Sequence, residues 1–189
     1  MKRRPNPPLT LALLLVGVLA LEAVIGCDSS PNAGGQGCPT DLGAPNELLR
    51  PGRPFPPLVA EGWFNGDAPT PEELKGQIYV VDIWASWCGP CRNATPEVIK
   101  LYEKYQDQGI RFFALTVDDD AKGLEAARIF VKRAGVPWPN GYGGNTPAVL
   151  GVTLLPTVFV VGRDGRVVWN NHHSPGTLDD AIASALGGF

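Results

Sequence analysis

The chain has 189 residues, 44% of them hydrophobic and 19% charged, with a formal net charge of −3. That composition suits one globular domain with a single buried core and excludes a disordered or fibrous chain. Setting aside residues 1–26 removes Lys2, Arg3, Arg4 and Glu22, so 16 basic residues become 13, 19 acidic become 18, and the charge becomes −5. No basic run remains, so nucleic acid is not an expected partner.

The N-terminus reads as an export signal over residues 1–26. Lys2, Arg3 and Arg4 form a positive n-region, and Leu9 to Ala20 form a leucine-rich h-region that Glu22 interrupts. The stretch is short for a transmembrane helix. Val24-Ile25-Gly26-Cys27 then resembles the lipobox of bacterial lipoproteins, in which cleavage leaves the cysteine as an acylated N-terminus. Cys27 is therefore expected to carry lipid and to tether the chain to a membrane. An uncleaved anchor from Leu9 to Ile25, or plain secretion, are the alternatives, and all three place the domain outside the cytoplasm. Residues 27–50 read as a flexible tether, because Ser29 to Thr40 is rich in Gly, Pro, Asn and Ser. Cys38 lies there without an assigned role; without lipidation, Cys27 and Cys38 could close a small loop as a disulfide.

Residues 51–189 are expected to form the folded domain. Leu58-Val59 suggests a short strand, and Pro69 to Lys75 a helical turn ending at Gly76. Ile78 to Trp84 is apolar except for Asp82, as in a strand buried on both faces. From Cys91 to Gln108 the spacing becomes helical, with Val98, Ile99, Leu101, Tyr102 and Tyr105 on one side and Gly109 as the stop. Pro96 inside it predicts a kink. Ile110 to Val117 predicts a second buried strand. Asp118, Asp119 and Asp120 offer caps for a helix over Leu124 to Ala134, and Gly135 to Asn145 reads as a loop. Thr146 to Leu150 suggests a helical turn, and Thr157 to Val161 a third strand. Gly162-Arg163-Asp164-Gly165 reads as a hairpin turn into Val167 to Asn170. A last helix spans Thr177 to Leu186, with Thr177 and Asp180 as a capping box. This order predicts an α/β domain: one mixed sheet with helices on both faces.

Trp87-Cys88-Gly89-Pro90-Cys91 stands where the first long strand hands over to a helix. Two cysteines at this spacing can pass between dithiol and disulfide with little backbone movement. The first sulfur lies at the positive end of a helix dipole, which stabilises the attacking thiolate; Cys-X-X-Cys thiols reach pKa values of roughly 3.5 to 7.5 against about 8.5 when free. Thiol–disulfide exchange is the chemistry this pattern supports.

The run Val81-Asp82-Ile83-Trp84-Ala85-Ser86-Trp87-Cys88-Gly89-Pro90-Cys91 resembles the active-site segment of thioredoxins, and the element order agrees with their fold. Leu155-Pro156-Thr157 matches the family's cis-proline loop. The lipobox, the proline-rich lead-in and the long segment from Ala121 to Leu155 resemble the exported, membrane-tethered TlpA/ResA-like branch. The resemblance implies an exposed nucleophile at Cys88 and a resolving thiol at Cys91. Gly89 and Pro90 would shape the turn, Trp87 would form an apolar apron beside Cys88, and Trp84 would pack underneath. Pro156 would be cis, with the Leu155 backbone offered to a substrate strand. Asp82 matches the buried carboxylate that takes a proton from the resolving cysteine, although the lysine that thioredoxins place nearby is absent from Phe112 to Val117. The implied function is that of a disulfide reductase acting on exported protein cysteines, including those of apocytochrome c. It would be a monomer, re-reduced by a membrane electron donor and needing no cofactor.

Other readings compete. A zinc site would need two more ligands beyond Cys88 and Cys91, and only Cys27, Cys38, His172 and His173 are on offer. Haem attachment needs histidine after the second cysteine, where Arg92 stands. Ser86 two residues before Cys88 only weakly suggests a peroxiredoxin, and copper delivery would call for wider cysteine spacing. His172 and His173 follow the last strand and are expected to face solvent. A redox-inert peptide-binding module, or a disulfide oxidase or isomerase, are the alternatives in function.

Overall fold

The structure is a computed structural model that describes residues 47–188. These lie in the second of two compact units, Pro39–Phe189. The export signal, Cys27 and Cys38 lie outside the described residues. No helix among the described residues is long and apolar enough to cross a membrane.

Six strands form one sheet: β1 (Gly62–Phe64), β2 (Tyr79–Trp84), β3 (Arg111–Thr116), β4 (Asn140–Tyr142), β5 (Thr157–Val161) and β6 (Val167–Asn170), in the order β1-β4-β3-β2-β5-β6. β2 is central, parallel to β3 and antiparallel to β5. Its near-continuous apolar sequence follows from burial on both faces. Alternation along the strand sends Val80 and Trp84 into one core with Phe112, Ala114 and Val160, and Val81 and Ile83 into another with Phe113, Leu115 and Phe159.

The helices are α1 (Pro71–Leu74), α2 (Gly89–Tyr105), α3 (Ala121–Ala134), α4 (Thr146–Val149) and α5 (Leu178–Gly187). The connections β2-α2-β3 and β3-α3-β4 step across the sheet in the same direction. Right-handed crossovers therefore put α2 and α3 on the same face. There Val98, Leu101, Ala127 and Val131 share a core with Ala181, Ile182 and Ala185 of α5. The opposite face is covered mostly by irregular chain at Leu48, Leu49, Phe55 and Leu58, with Trp63 of β1, Leu74 of α1 and Leu150 after α4. Helices do lie on both faces, but those on the second are single turns.

The strand expected at Leu58-Val59 does not form. β1 lies three residues later and pairs with β4, inside the segment expected to be a loop. Both strands have three residues and contain glycine, so only long-range pairing defines them. The tether expected through residue 50 also ends sooner: Leu49 N donates to Leu150 O at 2.9 Å, and its carbonyl accepts from Asn170 Nδ2 at 2.9 Å. α2 continues through Pro96, with Thr95 Oγ1 donating to Cys91 O at 3.0 Å, and passes into a 3₁₀ turn at Gln106–Gln108 stopped by Gly109 at φ 80°.

Candidate active site

The C-terminal end of β2 turns into α2 through Ala85, Ser86 and Trp87. Cys88 N donates to Ala85 O at 3.1 Å, and Cys88 then becomes the N-cap of α2. Its sulfur accepts the Cys91 N–H at 3.2 Å and is bonded to the Cys91 sulfur, with 5.3 Å between the Cα atoms. A negative sulfur at this place is favoured by an otherwise orphaned N–H and by the helix dipole. Pro90 sits in the first helical turn, where its missing N–H costs nothing. Gly89 is exposed, and a Cβ there would meet open space, so the fold does not demand glycine and the approach to Cys88 stays clear.

In this oxidised form Cys88 is not the exposed sulfur expected. Both cysteines are 5% exposed in the disulfide-bonded pair. Trp87 beside it is 70% exposed, in keeping with an apolar apron. Trp84 is buried beneath, where Nε1 donates to Asn140 Oδ1 of β4 at 3.1 Å and the ring packs on Phe130 at 5.4 Å between centroids. Arg92 stacks over the same Phe130 ring.

Asp82 points to the face that carries Val80, Trp84, Cys88 and Cys91. Its strand neighbours in register are Ala114 and Val158, both apolar. Oδ1 is enclosed and has no hydrogen-bond partner. Desolvation pushes the carboxyl up from 3.8 to about 7. Such a group can take and return a proton near neutral pH, which is what a resolving thiol requires.

The Leu155–Pro156 bond is cis. Leu155 packs against the core that contains both cysteines. Its backbone N–H and C=O make no hydrogen bond within the described residues. The residues singled out from the sequence, Cys88, Cys91, Asp82 and Pro156 with Trp87, Gly89, Pro90 and Leu155, thus occupy one end of β2 and the loop entering β5.

Two contributors were missed. Asp118 was expected only as a helix cap, a role that Asp120 fills. Asp118 is instead buried and accepts from Ser86 N at 2.8 Å, Ser86 Oγ at 2.8 Å and Thr116 Oγ1 at 2.5 Å, clamping the turn before Cys88. His172, expected to face solvent, has an exposed residue surface, but its Nε2 lies 3.0 Å from Thr157 Oγ1 and 3.2 Å from Pro156 O. The hairpin held the signal: its register carried two steps past Asn170 brings residue 172 opposite Thr157, beside the cis-proline loop.

The Redoxin family profile matches residues 52–186, most of the chain. The chain belongs to the Redoxin family. It is similar to the thiol-disulfide oxidoreductase ResA of Bacillus thuringiensis (strain Al Hakam), at 31% identity over 127 residues covering 66% of this chain and 71% of that protein. ResA of Bacillus subtilis (strain 168) is 29% identical over 135 residues, covering 66% and 69%. A solved thiol:disulfide interchange protein of the thioredoxin family from Chlorobium tepidum TLS superposes with a TM-score of 0.60 at 25% identity, covering 71% of this chain and 98% of its own. The chain is thus a thioredoxin-superfamily thiol–disulfide oxidoreductase of the TlpA/ResA-like kind.

Proposed function

We propose that this oxidoreductase works outside the cytoplasm as a disulfide reductase for exported proteins, tethered to a membrane through lipidated Cys27. The observation that carries the reading is the Cys88–Cys91 pair at the N-terminus of α2, on the face that also holds Asp82 with its enclosed Oδ1.

In the reduced protein the Cys88 thiolate attacks a substrate disulfide. One substrate sulfur leaves as a thiolate and takes a proton from solvent, while the other remains bonded to Cys88. Asp82 accepts the proton of the Cys91 thiol. The Cys91 thiolate then attacks the Cys88 sulfur, forming the Cys88–Cys91 disulfide and expelling the second substrate sulfur as a thiolate, which is protonated as Asp82 gives its proton back. Two electrons and two protons from a membrane donor restore the dithiol. Pro156 and the Leu155 backbone line the approach, where an extended substrate strand can pair with the open Leu155 groups. Cysteines of apocytochrome c before haem attachment fit the substrate class, because they must be reduced to react.

Gly89-Pro90 between the cysteines, as in reducing thioredoxins, favours the reductive direction. The test is the reduction potential of the purified protein together with dithiol-driven reduction of a peptide disulfide. A potential near about −270 mV with turnover supports the reading, and one near about −120 mV refutes it in favour of an oxidase.

A further inference from the structure

The turn that follows β6 is built more firmly than a solvent-facing connection needs. Asn170 is fully buried, and its Oδ1 accepts from His172 N at 3.0 Å and His173 N at 2.8 Å. Ser174 closes the turn with bonds in both directions to the Asn170 backbone, each at 3.1 Å. Asn171 and His172 are thereby held against the loop entering β5. Asn171 spans it, with Nδ2 donating to Pro156 O at 3.0 Å and Oδ1 accepting from Val158 N at 2.9 Å.

The chemistry of the contacts decides the role of His172. The Thr157 hydroxyl has one proton and donates it to Leu154 O at 2.6 Å, so towards His172 Nε2 it can only accept. The Pro156 carbonyl is an acceptor as well. Nε2 must therefore carry a proton, a condition met by the neutral Nε2–H tautomer and by the imidazolium alike. The one Nε2 proton is shared between Thr157 Oγ1 and the Pro156 carbonyl, which also accepts from Asn171 Nδ2; the Leu154 carbonyl accepts from Thr157, while the Leu155 N–H and C=O between them stay open. The exposed side chain of Leu154 stands beside this gap.

We propose that His172, assisted by Asn171, is a positioning residue that holds the cis-proline loop so that the Leu155 backbone is presented to an extended peptide substrate. The inference rests on the thiol-exchange reading above. Its effect is selective. A peptide disulfide uses the Leu155 edge for docking, whereas a small disulfide such as oxidised glutathione depends far less on it.

The experiment compares kcat and KM of wild type, His172→Ala and His172→Gln with a peptide disulfide and with oxidised glutathione. Gln places an amide N–H near the position of Nε2. The ratio of peptide to glutathione kcat/KM should fall about five- to tenfold in the Ala variant, through KM, on the scale of one or two lost hydrogen bonds. The Gln variant should recover most of that ratio. An unchanged ratio, or an equal fall on both substrates, overturns the proposal, the second because it marks a general structural role. Failure of the wild type to turn over either disulfide instead refutes the thiol-exchange reading, and the inference falls with it.

Discussion

Replacing Asp82 with asparagine should change the pH dependence of stability in a direction opposite to that of an ordinary paired carboxylate. One carboxyl oxygen, Oδ1, is enclosed without a partner, and the pKa is raised from 3.8 to about 7. Between these values the folded protein keeps a proton that the unfolded chain has released. Stability from this group is therefore complete below about pH 4, is lost as pH rises, and is gone above about pH 7. The slope is about 1.36 kcal/mol per pH unit, so the two units from pH 5 to 7 cost the wild type on the order of 3 kcal/mol. Asparagine is neutral throughout, and the cost of its buried amide is the same at each pH and drops out of the comparison. Urea unfolding of both oxidised proteins at pH 5, 6, 7 and 8 should show the variant gaining about 3 kcal/mol relative to wild type across the series. The same substitution should slow release of the mixed disulfide near neutral pH by about 100-fold, the lower end of general-base effects. Parallel pH–stability profiles would refute the desolvation argument, and unchanged exchange kinetics would remove Asp82 from the proton path.

Brief alkylation of the reduced protein at mildly acidic pH should modify Cys88 before Cys91, since only Cys88 caps α2; peptide mapping that finds Cys91 labelled first would reverse the two roles. Asp118→Ala leaves the Ser86 N–H and two hydroxyls without their acceptor and should lower unfolding free energy by about 2–4 kcal/mol in urea titrations. A loss below about 0.5 kcal/mol would show that solvent replaces the clamp. Intact-mass measurement of the mature native protein should find an acylated N-terminal Cys27, and a mass fitting cleavage elsewhere, or none, would contradict the tether.

What the sequence by itself determined was local. The apolar runs of β2, β3 and β5 are long enough for burial on both faces to show as unbroken hydrophobicity. Gly162 to Gly165 and Thr177 with Asp180 act within a few residues, as hairpin turn and capping box, and both form where their chemistry places them. The redox pair was legible for the same reason, since its chemistry depends on a four-residue motif and on the helix start that contains it. Asp82 stood out because a carboxylate interrupting such a run is rare. The tertiary structure alone decided the rest. β1 and β4 are three-residue strands with glycine at Gly62 and Gly141, too short for any periodicity, and they exist because β3 and each other's backbone offer hydrogen bonds. The collection of α2, α3 and α5 on one face followed from strand order, which brings together residues far apart in the chain. Asp118 reaches Ser86 across 32 positions with no local pattern to mark the pairing, and His172 reaches Pro156 across 16, which only the β5–β6 register extended beyond Asn170 brings together. Hydrogen bonds of this kind are set by where strands end in space, so their partners appear only once the sheet is assembled.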